Sequence, residues 1–420
     1  MSEAIASPPR KYFPLRRRTG TAAFHTSRKA VDFGHEDIEK MTALDAVKFM
    51  AEAVWGSFKE MPCVHCGTID THYWWAKEMR WKCKCCGKRF SVTSGTVLAD
   101  RKLPLTKILR IVFSWSNSAS GVPALQLRRD WNVSYPTVFT LLQKMREGLS
   151  RGFGAGVLCG TVEMDGMDVN GRRYKEKCNK PQGGGRKGPA SIPAHLLKPA
   201  ADHVGPPLPP KWGKSARQHP DRRQMLSARQ RGVSKGMGAS ATKVGIAITE
   251  SGRSVTALAE RSISAESYMM TDEDPSYLSF SQLFSSHETI NHSVCFSRDD
   301  GVSNNQAESF NARVRRGIEG IYLNVSNKYL KDYASEMAWR EDTRKLSTGN
   351  KFKHLLQEVL WVGMSWWWRG YSHGKHREEE LLLEGNQPAK ARGRPKGWKA
   401  KLLWLRHDCQ RTHLLLRWFA

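Results

Sequence analysis

The sequence predicts a mixed α/β protein whose larger C-terminal part is preceded by a small cysteine-held β unit and a helical segment. Three observations carry that prediction. Five of the nine cysteines lie between residues 63 and 86. Leu105–Gly148 has helical spacing, with turns at Ser120-Gly121 and Asn132-Val133. Beyond it, strand-like Thr161–Val169 is followed by helix-like Ala307–Arg316 and Lys328–Arg344.

The 420 residues leave room for two or three domains. With 40% hydrophobic and 10% aromatic residues, a real core can be buried, which argues against a wholly disordered chain. Lys and Arg number 67 against 40 acids, a net charge of +27. Such an excess points to a polyanionic partner, nucleic acid before an anionic membrane surface. No apolar run of about 18 residues is present, so no transmembrane helix is expected. Met1-Ser2-Glu3-Ala4 lacks the layout of a secretory signal, and Arg10, Lys11 and Arg16–Arg18 resemble a transit peptide or a basic arm, the arm preferred because the rest of the chain is also basic.

Taken in order, residues 1–38 are expected to be a disordered basic arm. Residues 39–100 hold a helix, Met41–Trp55 with Leu44, Val47, Ala51 and Val54 on one face, and then the cysteine unit. Its strands are expected around 73–75, 79–81 and 89–92. Residues 101–155 form the helical segment. The α/β domain runs over 156–372 and carries a basic insert, 171–243. That insert has 17 Lys/Arg against 3 Asp/Glu and contains Gly183–Gly185 and Pro206–Pro210, so it reads as a loop. Val244–Thr249 and Val255–Ala259 read as strands. Residues 373–420 form a basic tail without a recognisable fold.

Cys63-Val64-His65-Cys66 and Cys83-Lys84-Cys85-Cys86 are two knuckles separated by 16 residues. Tetrahedral Zn(II) takes four thiolates, and two tight turns supply two each. Cys63, Cys66, Cys83 and Cys86 are the expected ligands, with Cys85 spare and His65 exposed. Gly67 and Gly87 permit the turns. A closed four-ligand site is structural, and such a small sheet depends on its metal. Trp74, Trp75, Lys77, Arg80, Trp81 and Lys82 mix aromatics with cations, as a nucleic-acid contact does.

Val122–Trp131 suits a first helix, Asn132-Val133-Ser134 a turn and Tyr135–Met145 a second helix. Ser134 is the expected N-cap and Pro136 lies in the first turn. In a helix-turn-helix reader, Tyr135, Thr137 and Thr140 approach the major groove; the plain alternative is a helical hairpin.

Acids recur at three points. Val162-Glu163-Met164-Asp165-Gly166 lies on a strand, whose alternation sends Glu163 and Asp165 to one face. Thr271-Asp272-Glu273-Asp274 precedes a helical stretch, and Glu308 opens the helix Asn305–Arg316. Converging carboxylates can hold divalent metal for phosphodiester chemistry, although each acid taken singly reads as solvated.

With these segments in place, the sequence resembles DDE-type insertion-sequence transposases that carry an N-terminal zinc ribbon. The resemblance runs through Cys63–Cys86, Phe90–Thr96, the helical segment, Val162–Gly166 and Thr271–Glu273. It is strongest at Asn291-His292-Ser293 and Asn305-Gln306-Ala307-Glu308-Ser309-Phe310. Arg315-Arg316, Lys328–Leu330 and Glu336–Asp342 extend it, so that it spans roughly 40–372. It implies a ribonuclease H-like catalytic domain over 156–372. It also implies catalytic Asp165, Asp272 and Glu308 holding Mg(II) or Mn(II), with Arg315 as basic partner two helical turns after Glu308. Asp168 and Glu273 are substitutes, and Asn305 is an alternative for the third position.

The resemblance further implies a bacterial, cytoplasmic, nucleoid-associated enzyme that acts as a homo-oligomer on double-stranded DNA, without a membrane partner. It would bind terminal inverted repeats and join them to target DNA. A non-catalytic zinc-ribbon regulator, a nuclease that cuts without joining and an inactive transposase copy are the alternatives. In the tail, Arg392-Gly393-Arg394-Pro395-Lys396 resembles an AT-hook, or is a solvated basic linker.

Overall fold

The structure is a computed structural model. It describes residues 24–152, 156–170, 222–233, 238–291, 297–298 and 301–385, with the backbone of 387–388. Arg10–Arg18, most of the basic insert, His292-Ser293 and the Arg392–Lys396 stretch lie outside the described residues.

The N-terminal part begins with α1 (His35–Glu39) and α2 (Ala43–Trp55). Thr42 caps α2 by accepting from the Asp45 N–H, and Asp45 reaches back to the Thr42 N–H, satisfying two donors that a helix start leaves open. Two small sheets follow. The first pairs β1 (Met61–Pro62) with β2 (Ile69–Asp70). The second joins β3 (Tyr73–Trp75), β4 (Arg80–Lys82) and β5 (Arg89–Phe90). Three helices come next: α3 (Leu105–Asn117), α4 (Ala124–Trp131) and α5 (Tyr135–Gly152). Asn132 turns the chain between α4 and α5 in the left-handed region at φ 46°, which Asn tolerates better than most residues.

The arm expected over 1–38 is ordered in its last part. Phe33 stacks on Phe49 and Phe352. Asp32 accepts the Gly349 N–H at 2.7 Å and the Ser347 hydroxyl at 2.7 Å. Aromatic burial and a helix-start contact hold this stretch, and neither partner is near in sequence.

The main sheet contains β6 (Thr161–Val169), β7 (Arg223–Arg231), β8 (Ala239–Ala247), β9 (Tyr268–Asp272) and β10 (Ser286–Ile290), in the order β10-β9-β6-β7-β8. β6, β7 and β8 run antiparallel, while β6, β9 and β10 run parallel. On one face, Met167, Val169, Met225, Val244 and Ile246 pack against α8 (Asn305–Arg316) and α9 (Leu330–Asp342). On the other, Val162, Met164, Leu226 and Ala228 pack against α6 (Gly252–Ser262) and the segment containing α7 (Phe280–Leu283). This mixed sheet covered by helices on both faces is consistent with the ribonuclease H-like α/β domain expected.

Two expectations fail here. Residues 223–231 and 239–243, expected within a loop, are strands. β7 reads as a loop because it is rich in Arg and Gln, yet it is largely buried with its polar groups paired. Arg229, for example, donates to Thr242 and to the Gln306 carbonyl. Val255–Ala259, expected as a strand, lies within α6. Ser251 caps that helix by accepting from the Ser254 N–H, and Val255, Leu258 and Ala259 then fall at helical spacing.

α10 (Thr348–Trp361) returns to the N-terminal part. Its Phe352, Leu355, Leu356, Val359 and Leu360 share one core with α2, α3, α5 and the cysteine unit. The border expected at 155/156 therefore does not separate the cores.

Candidate functional site

The cysteine unit is built as two matching turns. The Cys63 N–H donates to Thr68 O and the Gly67 N–H to Cys63 O; Cys83, Lys88 and Gly87 repeat the pattern. Gly67 and Gly87 both take positive φ, 75° and 68°. The Sγ atoms of Cys63, Cys66, Cys83 and Cys86 lie within 4.8 Å of one another. Cross-turn separations are 3.7 Å for Cys63–Cys86 and 3.6 Å for Cys66–Cys83. A Zn–S bond of about 2.3 Å gives a tetrahedral edge of about 3.8 Å, so the donor set fits Zn(II). Burial pushes the Cys63 thiol up to about 12, whereas hydrogen bonding with Thr68 brings Cys66 down to about 6. Cys85 and His65 are exposed and stand outside the tetrad.

The aromatic part of the expected nucleic-acid contact divides. Trp81 is buried among Trp55, Phe58, Trp74 and Phe90, so it and Trp74 are core of the unit. Trp75 is exposed with Arg89 over its ring at 3.8 Å, and Lys77, Arg80 and Lys82 remain on the surface. On α5, Tyr135 is exposed and Thr137 and Thr140 are half-buried.

At the sheet, alternation along β6 turns Glu163, Asp165, Met167 and Val169 toward α8. Glu163 is fully buried and accepts the Gln306 N–H at 2.6 Å and the Ala307 N–H at 3.2 Å. It thereby satisfies open donors at the start of α8 and complements the positive end of the helix dipole. Arg231 neutralises its other oxygen at 2.5 Å. One turn on, Asn311 donates to Asp165 Oδ2 at 2.8 Å, and its own carbonyl oxygen accepts the Ser227 hydroxyl at 2.9 Å. The three-residue spacing from Glu308 to Asn311 puts Glu308 on the same side as Asp165.

Asp272 stands at the end of β9, beside β6 in the sheet. Asp165 is pushed up to about 7, first by burial and then by the nearby negative charge of Asp272, with Glu250 and Glu308 adding to it. No cation forms an ion pair with Asp165 among the described residues. The acids share an electrostatic neighbourhood but are not drawn together to the spacing of the cysteines. Gathered like charges are what a hard divalent ion would stabilise, and carboxylate oxygens are its preferred donors.

Glu250 is an acid of this neighbourhood that sequence reasoning missed. It accepts the Tyr277 hydroxyl at 2.6 Å and the Gln224 amide at 2.5 Å. It lies against Gly166, where an added Cβ would stand 2.5 Å from the Glu250 carboxyl carbon. Burial and the charges of Asp272 and Asp274 raise its carboxyl above the usual range. The Asp165-Gly166 pair held a signal for it: a glycine in mid-strand marks close approach by another group.

The other predicted residues fall as follows. Asp168 points to the opposite face from Asp165 and pairs with Arg222 at 2.8 Å. Glu273 is exposed and accepts from Asn291 at 2.7 Å. Asn305 is exposed at the first position of α8, whereas Asn304 before it is buried. Arg315 is exposed and forms no ion pair with a described residue.

Residues 207–342 match the pattern of the ISXO2-like transposase domain. That stretch, about a third of the chain, is similar to this transposase domain. The match includes Asp272, Glu308 and Arg315, and begins after Asp165. Comparison with curated proteins and with solved structures found no match. Among the described residues, no helix is long and apolar enough to cross a membrane.

Proposed function

We propose that this protein is a DNA transposase of a bacterial insertion sequence, binding element ends and carrying out strand cleavage and strand transfer. The observation that carries the reading is that Asp165 shares its buried neighbourhood with Asp272 and Glu308, both inside the stretch that matches the transposase pattern. Asp165, Asp272 and Glu308 would hold Mg(II) or Mn(II). Such an ion polarises phosphoryl oxygens and makes a water or a 3′-hydroxyl a better nucleophile at neutral pH.

The chain supplies position and charge. Asn311, fixed by Ser227, orients the Asp165 carboxylate. Glu163 anchors the start of α8 and so presents Glu308. Arg315, on the exposed flank of the same helix, is placed to meet a DNA phosphate. The zinc ribbon and the α4–α5 pair read the element ends, and basic residues hold the backbone. The protein acts as a homo-oligomer, because joining needs two ends together.

Titration of the apo protein with Mn(II) by calorimetry tests the acid site, with duplex binding measured in parallel. The expected result is that Asp165→Asn weakens Mn(II) binding at least tenfold and leaves duplex affinity within twofold. Equal Mn(II) binding by wild type and variant, with duplex binding intact, returns the reading to a non-catalytic regulator.

A further inference from the structure

Away from the acids, a cleft of about 280 Å³ opens where β8, α5, α6 and α9 meet. Lys243, Lys331 and Arg261 line it together with the hydroxyl residues Ser150, Thr242, Ser262 and Ser335, and no carboxylate among the described residues does. Arg261 is exposed at the rim, while Lys243 and Lys331 are half-buried. The Lys331 ammonium has three N–H donors, of which the Val244 carbonyl takes one.

The acids around the cleft are largely committed elsewhere. Asp332 pairs with Arg377 at 2.9 Å and also accepts the Ser150 hydroxyl, and Asp342 accepts from the Thr242 N–H and hydroxyl. Glu358 and Asp342 act on Lys243 only through space. Burial, with Lys243 adding to it and the Asp332 charge opposing it, brings the Lys331 amine down to about 8.

Three cations with the Ser262 and Ser335 hydroxyls, in a concave site that no described carboxylate lines, match a tetrahedral oxyanion, whose oxygens accept from them. We propose that this cleft binds a phosphate group, and that in the DNA complex the group is a backbone phosphodiester gripped at the junction of α5 with the sheet. The anion site stands on the cleft itself; its assignment to DNA rests on the transposase reading.

The test uses the full chain and Lys243→Gln/Arg261→Gln. The charge-matched control is Lys29→Gln/Arg253→Gln, both exposed. Zinc content and melting temperature confirm that both fold. Anisotropy of a labelled duplex is followed against KCl, and inorganic phosphate is titrated against melting temperature. The cleft variant should lose about one to two from the slope of log K against log salt, beyond any change in the control. It should also lose the stabilisation by inorganic phosphate, while Lys243→Arg with Arg261 intact retains both.

Loss of phosphate stabilisation with unchanged duplex binding keeps the oxyanion site and overturns its assignment to DNA. If the cleft variant matches the control in both arms, the proposal fails. Mn(II) binding at Asp165 is a separate readout, so failure of the transposase reading leaves the phosphate arm interpretable.

Discussion

At the residue scale, the site depends on groups that only the fold brings together. Gly166 matters through what lies against it. Glu250 is held by Tyr277 and Gln224, so it cannot swing aside freely to admit a methyl group. Gly166→Ala should cost about 1–3 kcal/mol in denaturant unfolding. Combining it with Glu250→Ala should recover part of that loss, as a double-mutant cycle would show. Asp165 sets a pH dependence. Its folded carboxyl titrates near 7 against an ordinary 3.8, so the native state holds an extra proton between those values. Its contribution to apo stability is therefore present below about pH 4 and is lost as pH rises through about 7. Binding of Mn(II) should strengthen across the same window and release protons, seen as a buffer-dependent heat. Asp165→Asn should flatten both curves. Asp165 itself was legible as an acid on a strand, whereas Glu250 was not, because its relevance lies in a contact spanning two strands of chain.

At the element scale, two devices join the parts. The zinc ribbon has strands of two or three residues around a buried Trp81 cluster, too little surface to hold by itself. Chelation, or Cys83→Ser, should remove one zinc and expose Trp81 to solvent, which a red shift in tryptophan emission would report. The second device is Glu336 on α9. It meets Arg146 of α5 at 2.6 Å and Arg340 at 2.8 Å, all three deeply buried, and accepts the hydroxyl of the half-buried Tyr322 at 2.7 Å. Arg340 also donates to the carbonyls of Trp115, Ser116 and Ser118 at the end of α3, where a helix leaves acceptors open. Glu336→Ala would leave Arg146 buried without a counter-charge, and a loss of about 3–5 kcal/mol is expected on thermal or urea unfolding. Elements whose signal is local were readable in advance. Thr161–Val169 is a strand with the predicted ends, and the two cysteine turns sit where their spacing put them. β7 and α6 were misread because polar pairing hides a strand in one and a short apolar run imitates a strand in the other.

At the scale of the whole molecule, the +27 charge and the two linked cores bear on one task. α10 and the Glu336 latch tie the ribbon and helical segment to the sheet that carries the acids. Contact with DNA by one part would thus constrain the other. Duplex affinity should fall steeply between about 50 and 200 mM salt, by a thousandfold or more if six or more phosphates are neutralised. A shallow slope would separate the charge from DNA binding. The measurement that tests the central claim most directly is a cleavage and joining assay. Labelled DNA carrying the element's own ends is incubated with target DNA and Mg(II), using wild type and Asp165→Asn. The account predicts a 3′-hydroxyl cut and a joined product from wild type, with both reduced at least a hundredfold in the variant while binding is kept. Tight binding without cut or joined strands from wild type would contradict it.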